Sequence, residues 1–176
     1  MKKLFLLVVL WLSLLTGIQA QFPKAIFPGD YPDPSILRDG KDYYMTHSPF
    51  CYAPGFLIWH STDLLHWEPV CRALSEYEAS IWAPDLLKYQ NRYYIYYPTS
   101  TGENYVIYAD NIRGPWSKPV KLDVKGIDPG HVVGEDGKRY LFTNNGWITP
   151  LSDDGLKVTG KSRKVYDGWE YPANWV

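Results

Sequence analysis

The amino-acid sequence predicts an all-β fold, a β-propeller of which about three blades are present. A pattern of short apolar strand, tight turn and aromatic strand occurs three times, with Tyr43, Tyr93 and Tyr140 at intervals of 50 and 47 residues. No amphipathic helical run of useful length follows residue 20. Four short strands per unit, at a period near 50 residues, are typical of propeller blades.

Each unit begins with a sequence that predicts a β-hairpin. The turns fall at residues 39–40, 90–91 and 135–137, and they contain the Asp, Asn and Gly residues that tight hairpin turns prefer. The strand after each turn is aromatic. Its fullest form is residues 93–97, a run of tyrosines around one isoleucine, which we interpret as strand packing and not as a binding platform.

The second half of each unit also repeats. Residues 56–67 and 104–116 each contain an apolar strand followed by a polar turn and a tryptophan, and Trp67 and Trp116 are 49 residues apart. Residues 148–156 are a weaker third copy. These segments predict the two outer strands of each blade.

The N-terminal 20 residues have the layout of a secretory signal peptide. Lys2 and Lys3 precede an apolar run over residues 4–15, and the segment ends on the small residue Ala20. The run is short for a membrane span. We expect cleavage and a secreted or periplasmic protein without further membrane contact; an uncleaved N-terminal anchor is the alternative.

Residues 21–176 are long enough for one ordinary domain with its own core, which we interpret as an incomplete propeller. Without Lys2 and Lys3 the formal charge goes from −1 to −3, so no electrostatic footprint for nucleic acid is present. Aromatic residues make up 16% of the chain. Tyrosine and tryptophan combine an apolar face with a polar tip, which suits strands and also suits sugar-binding surfaces.

The cysteine and histidine residues do not predict a metal site. Cys51 and Cys71 fit no zinc motif, and His60, His66 and His131 lack ligand-like spacing. In an oxidising compartment the two cysteines could form a disulfide, but spacing alone does not bring their Cα atoms together, so both states stay open.

Three aspartates stand near the start of the three units. Asp33 lies between Pro32 and Pro34, which restrain the backbone on both of its sides. We interpret Asp85 and Asp128 as acids at the same phase of the later repeats. Because the inner strands of propeller blades share one direction, acids at one phase would meet at the same end of the central channel.

The ordered motifs YPDPS at residues 31–35, WAPD at 82–85 and IDP at 127–129 resemble those of glycoside hydrolase family 43. The resemblance covers residues 27–176. It implies a five-bladed propeller in the full protein and hydrolysis, with inversion, of plant oligo- and polysaccharides that contain arabinose, xylose or galactose. It requires no cofactor, and it allows a structural cation in the channel of the full-length protein.

The resemblance implies that Asp33 is the general base and that Asp128 is the acid that orients its partner and tunes the pKa of that partner. An inverting glycosidase needs one carboxylate to activate water and one carboxylic acid to protonate the leaving oxygen. A nearby like charge keeps that proton donor protonated. In the family the donor is a Glu. Glu170 is a weak candidate, and we expect the donor beyond Val176 and the chain inactive by itself.

Five other features have a structural interpretation, and the first four of them also have a functional one. Trp82 either stacks on a sugar or fills space between blades; Asp85 either lies at the sugar site or holds the blade entrance. His47 lines the pocket or is a hydrogen-bonded structural histidine. Trp147 is expected between blades instead of at the channel, and residues 161–164 are expected to form a solvated turn.

The sequence leaves two alternatives to hydrolysis. A non-catalytic sugar-binding propeller would use the same cleft without a proton donor. A protein-interaction scaffold explains the repeats, but it does not explain the acids before their first strands. Neither the identity of the sugar nor exo or endo action follows from the sequence.

Overall fold

The computed structural model describes residues 25–75 and 79–167. Within these ranges the chain forms twelve β-strands in three separate four-stranded sheets, and it contains no α-helix. Each sheet is antiparallel, and its strands pair in the order in which the chain makes them. The predicted all-β propeller with about three blades is therefore confirmed.

Each blade contains the four strands that the repeat predicts. Blade 1 consists of β1 (Ser35–Asp39), β2 (Asp42–Thr46), β3 (Gly55–Ser61) and β4 (Glu68–Leu74). Blade 2 consists of β5 (Asp85–Tyr89), β6 (Arg92–Pro98), β7 (Asn104–Ala109) and β8 (Val120–Leu122). Blade 3 consists of β9 (Gly130–Val133), β10 (Arg139–Thr143), β11 (Trp147–Pro150) and β12 (Arg163–Lys164), with a 3-10 turn at Asn144–Gly146.

The expectation of a solvated turn at residues 161–164 was wrong for its second half. Arg163 and Lys164 are exposed, as expected, but they pair with Ile148 and Trp147 as the edge strand β12. A charged, two-residue strand is a common way to end a sheet, because it offers few free backbone groups to another chain.

The hydrophobic cores lie between the blades. Side chains of β6 alternate between its two faces, so Tyr93, Ile95 and Tyr97 pack toward blade 1 while Tyr94 and Tyr96 pack toward blade 3. All five are buried. A strand buried on both faces has no solvent side, which explains why this run carries almost no charged residue. The interpretation of these tyrosines as strand packing is confirmed.

The first strands of the three blades lie side by side and run in the same direction. The Leu86 N–H donates to Ser35 Oγ at 2.9 Å, which joins the starts of β1 and β5. The His131 N–H donates to Asp85 Oδ2 at 2.7 Å, which joins the starts of β5 and β9. Residues that precede these three strands therefore lie at one end of the blades.

The third unit is displaced by one residue relative to the predicted alignment. Residues 135–137 make a three-residue turn, closed by a 2.9 Å bond from the Gly134 N–H to the Lys138 carbonyl, where blades 1 and 2 have two-residue turns. Arg139 therefore takes the place of Tyr93 in its blade. The predicted equivalence of Tyr140 with Tyr93 was wrong, because sequence spacing does not distinguish turns of two and three residues.

The two cysteines are not bonded to each other. Cys51 is exposed, and Cys71 is half-buried, with its thiol donating to the Ile112 carbonyl at 3.3 Å. Burial raises the pKa of the Cys71 thiol.

Among the helices of the described ranges, none has the length and apolar character that spanning a membrane would need.

Candidate active site

Asp33 is held in a turn just before β1. Its backbone is left-handed, with φ of 52°, a conformation that aspartate tolerates better than most residues. The buried Ser48 side chain donates its hydroxyl proton to Asp33 Oδ2 at 2.5 Å. The Ser48 N–H also donates to the Pro32 carbonyl at 3.0 Å. The carboxylate is thus exposed at the blade end but is fixed at one oxygen.

Asp128 is held by its backbone. It too is left-handed, with φ of 57°. The Ile127 N–H donates to Asn144 Oδ1 at 3.0 Å, and the Asn144 N–H donates to the Ile127 carbonyl at 2.8 Å. Asn104 Nδ2 donates to the Gly126 carbonyl at 2.8 Å. No side chain of the described ranges donates to the Asp128 carboxylate, which is exposed and free to interact with a ligand.

Gly126 is needed in this turn for two reasons. Its φ is +86°, and a Cβ at this position would lie 2.6 Å from Asn144 Oδ1. Any larger residue would therefore push away the amide that positions Ile127, and Asp128 would move with it.

Asp33 and Asp128 occupy the same position in their blades. Each lies two residues before the first residue of an inner strand, and each is followed by a proline. In blade 2 this position is Ala83, and Asp85 is the first residue of β5 itself. The interpretation that Asp85 shares the phase of the other two acids was therefore wrong. The WAPD motif places its acid after the proline, whereas the other two motifs place it before.

The Asp85 carboxylate lies in the seam between blades 2 and 3. Its Oδ2 accepts the His131 N–H, as described above. Burial raises the pKa of Asp85 to about 6, and the His131 N–H opposes the rise only in part. Of the two interpretations of Asp85, this contact supports the structural one, in which the side chain holds the entrance of the next blade.

Arg139 is a buried cation that the sequence did not predict. It is 1% exposed, and its guanidinium carbon lies 4.3 Å from the ring centre of Tyr89 and 4.5 Å from that of Tyr94. Its Nε donates to His131 Nε2 at 2.9 Å. Burial and the Arg139 charge lower the pKa of His131 to about 4, so His131 is neutral at physiological pH.

Two further donors of the Arg139 guanidinium are also used. Arg139 Nη1 donates to the Asp153 carbonyl at 3.1 Å, and Nη2 donates to the Tyr96 hydroxyl at 3.2 Å. The Tyr96 hydroxyl in turn donates to the Gly155 carbonyl at 2.9 Å. The sequence offered no signal for this, since Arg92 also begins an aromatic second strand and yet is partly exposed and pairs with Asp110.

His47 precedes Ser48, the residue that is bonded to Asp33, and is itself engaged by one aromatic ring and one backbone carbonyl. Its ring meets that of Tyr31 edge-on at 5.0 Å, and its Nδ1 is 3.2 Å from the Ser48 carbonyl. His47 Nε2 is a buried atom without a hydrogen-bond partner in the described residues. Tyr31, His47, Ser48 and Trp59 are among the residues that line a cavity of about 290 Å³.

Both tryptophans of interest are half-buried. Trp82 precedes β5, and its N–H donates to the Pro98 carbonyl at 3.0 Å, which places it at the same end as Asp33. Trp147 begins β11, and the Lys125 ammonium lies 4.8 Å from its ring centre. Trp147 is thus part of a sheet, and its ring is covered by Lys125, which belongs to the loop before Asp128.

In the described part of the chain, no group of three His, Cys, Asp or Glu side chains could hold a metal ion. His60 Nε2 pairs with Asp42 at 2.6 Å, and His66 Nδ1 pairs with Asp63 at 2.7 Å. These two histidines are therefore engaged separately. Glu170, the weak candidate for a proton donor, lies outside the described residues, as do the signal segment and its cleavage site.

Comparison with known proteins identifies the chain. The family model for glycosyl hydrolases family 43 matches residues 22–176. Xylosidase/arabinosidase 43B of Humicola insolens is 37% identical over 145 residues, which are 72% of this chain and 27% of that protein. The xylosidase/arabinosidase of Butyrivibrio fibrisolvens is 33% identical over 169 residues, 81% of this chain and 33% of that protein.

Solved structures agree with this match. The GH43 BlXynB protein of Bacillus licheniformis superimposes with a TM-score of 0.75 at 31% identity, covering 82% of this chain and 33% of that one. Xylan β-1,4-xylosidase of Bacillus halodurans gives 0.73 at 32% identity, covering 85% and 34%. The chain spans about a third of the length of these relatives. On this match, the chain belongs to glycosyl hydrolases family 43.

Proposed function

We propose that the protein is an inverting glycoside hydrolase that acts on xylose- or arabinose-containing oligo- and polysaccharides. One observation carries the proposal: Asp33 and Asp128 occupy the same position in two blades, at the same end, each in a left-handed turn before a proline. Relatives named xylosidase/arabinosidase in two organisms support the substrate class.

The proposed chemistry assigns one carboxylate to each task. Asp33 accepts a proton from the attacking water through the oxygen that Ser48 leaves free. Asp128, before the inner strand of blade 3, acts as an orienting acid for a proton donor, which we place outside the described residues. Inverting enzymes keep the base and the proton donor about 6.5–9.5 Å apart so that the water fits between base and sugar.

The test is Asp33→Asn in the full-length gene product, assayed with aryl β-xyloside and aryl α-arabinofuranoside. Asparagine tolerates the left-handed backbone, so the change removes the base and keeps the turn. We expect kcat/KM to fall about 10²–10⁴-fold, the usual contribution of a general base. Asp153→Asn, an exposed acid in blade 3, is the matched control and should hydrolyse both substrates at the wild-type rate.

Unchanged turnover in Asp33→Asn would reject the assignment of the base. A wild-type protein that binds xylo-oligosaccharides and cleaves none would show instead a sugar-binding propeller. The same assay after dialysis against EDTA tests the expectation that no cofactor is needed, since turnover should then be unchanged.

We also propose that the protein is exported. Lys2 and Lys3 ahead of the apolar run, and the small residue Ala20 a few residues after it, support cleavage after Ala20. N-terminal sequencing of the protein from the periplasm or the culture medium should begin at Gln21. A full-length N-terminus in the cell membrane would point to an anchor instead.

A further inference from the structure

Ser48 lies on a segment that is fixed from two sides. It follows β2, and its N–H is bonded to the Pro32 carbonyl at 3.0 Å. Two residues later, Phe50 and Ile81 exchange backbone hydrogen bonds, both of 3.0 Å. Ile81 is fully buried, so this pair connects the segment to the core between blades 1 and 2. Ser48 is therefore carried by backbone that cannot shift independently of the two blades.

The Ser48 hydroxyl points at one atom of the candidate base. Ser48 is 2% exposed, and its Oγ is 2.5 Å from Asp33 Oδ2. A buried hydroxyl has one proton to donate and must place it on an acceptor. Within residues 25–75 and 79–167 its hydroxyl donates to no other acceptor, and no hydrogen bond to Asp33 Oδ1 is present there.

We propose that Ser48 is a positioning residue, which holds Asp33 Oδ2 so that Oδ1 faces the water to be activated. The inference rests on the function proposed above. The last torsion of an aspartate side chain is broad, so an exposed carboxylate without a partner rotates among many orientations. The hydrogen bond from Ser48 restricts that rotation, and the rigid segment behind Ser48 transmits the position of the blades to the carboxylate.

A second buried hydroxyl provides the matched control. Thr46 is two residues earlier, is fully buried, and donates its hydroxyl proton to the Leu57 carbonyl at 3.1 Å inside blade 1. Thr46→Val removes a buried hydroxyl from the same stretch of chain without touching Asp33. Its effect measures what the loss of a hydroxyl does to stability alone.

The experiment compares Ser48→Ala, Ser48→Cys, Ser48→Thr, Thr46→Val and Asp33→Asn in the full-length gene product, with aryl β-xyloside and aryl α-arabinofuranoside as substrates. Misplacing a catalytic group by about 1 Å costs up to about 100-fold, so we expect kcat of Ser48→Ala to fall about 10- to 100-fold. KM should stay near the wild-type value, because Ser48 contacts the carboxylate and not the sugar. Ser48→Thr keeps the hydroxyl and should retain most of the turnover.

Each outcome decides the matter. Should Ser48→Ala not fold, Ser48→Cys keeps a small side chain that is a much weaker donor, and it should also lower kcat. Wild-type kcat in a folded Ser48→Ala or Ser48→Cys overturns the inference, and so does an equal loss in Thr46→Val. If Asp33→Asn abolishes turnover while the Ser48 variants do not, only the inference fails. If wild type shows no turnover, or Asp33→Asn retains it, the proposed function fails and the inference falls with it.

Discussion

The seam between blades 1 and 2 and the seam between blades 2 and 3 use the same positions with different chemistry. At the start of the inner strand, the side chain that accepts the N–H of the next blade is the hydroxyl of Ser35 in the first seam and the carboxylate of Asp85 in the second. The two acceptors hold their partners at 2.9 and 2.7 Å.

The two seams also differ where their inner strands end. In the first seam the Tyr93 hydroxyl donates to Asp39 Oδ2 at 2.6 Å, and the Lys88 ammonium donates to the same oxygen at 2.7 Å. In the second seam the equivalent pair is Arg139 and Tyr89, with the cation over the ring at 4.3 Å. The acid of the first seam, Asp39, therefore lies at the ends of the inner strands and is partly exposed. The acid of the second seam, Asp85, lies at their starts and is more buried.

The pKa shifts follow from this difference. Hydrogen bonds from Lys88 and Tyr93 lower the pKa of Asp39, whereas burial without a cationic partner raises that of Asp85 to about 6. Stacking of blades therefore depends on a donor meeting an acceptor at fixed points, and the charge on each group is free to vary. What varies is the sensitivity of each seam to pH and to substitution.

The largest difference between the seams should come from Arg139→Ala. The change leaves a cavity between Tyr89 and Tyr94 and removes the donor to His131 Nε2, which together should lower the free energy of unfolding by about 3–5 kcal/mol. Tyr93→Phe, at the equivalent position of the first seam, removes one hydroxyl from Asp39 and should cost about 1 kcal/mol. Urea unfolding of the full-length protein measures both; equal effects would contradict the comparison.

Asp85→Asn should stabilise the protein above pH 7 and have little effect near pH 4. The pKa of Asp85 is raised when folded, from an ordinary value near 3.8 to about 6, so its favourable contribution is present at low pH and is lost as the pH rises through 6. Asparagine keeps the acceptor for the His131 N–H without the buried charge. The gain at pH 7.5 should reach up to about 3 kcal/mol.

The readout is the difference in unfolding free energy between wild type and variant, measured in urea at pH 4 and pH 7.5. His131 faces the same seam, and its lowered pKa gives wild type the opposite pH dependence, but His131 is present in both proteins and cancels in the difference. A difference that does not change with pH would contradict this prediction, because it would show that folding imposes no cost on the charged form of Asp85.

The smallest pH-dependent effect belongs to the matched change in the first seam. Ser35→Ala removes the acceptor of the buried Leu86 N–H and should cost about 1–2 kcal/mol, equally at pH 4 and pH 7.5, because serine does not titrate in this range. A pH-dependent cost would mean that Asp39 or Lys88 responds to the start of the strand, and that the two ends of the seam are coupled.

Much of the fold could be predicted because its signals are local. Hairpin turns and the aromatic runs that follow them predicted the strands, and their recurrence predicted the number of blades. The placement of Asp33 and Asp128 at one end followed from the common direction of inner strands, which needs no knowledge of side-chain packing.

The features that sequence reasoning missed depend on packing between distant residues. Arg139 is an arginine, a residue type usually at the surface, and its partners come from β5, β6 and β9. The Ser48 contact to Asp33 joins residues 15 positions apart in two loops. The wrong alignment of Asp85 came from treating every acid beside a proline as equivalent. Asp33 and Asp128 precede their prolines, whereas Asp85 follows Pro84 and is therefore two residues later in its blade.

The left-handed turns at Asp33 and Asp128 restrict how these positions can change. Glutamate would carry the same carboxylate on a longer arm, yet it is less well suited to a positive φ than aspartate or asparagine. Both sites thus require a residue that suits this backbone shape as well as an acidic side chain. Among single replacements, asparagine removes the charge while it keeps the size of the side chain and tolerates the left-handed backbone, whereas glycine tolerates the backbone but leaves no side chain there.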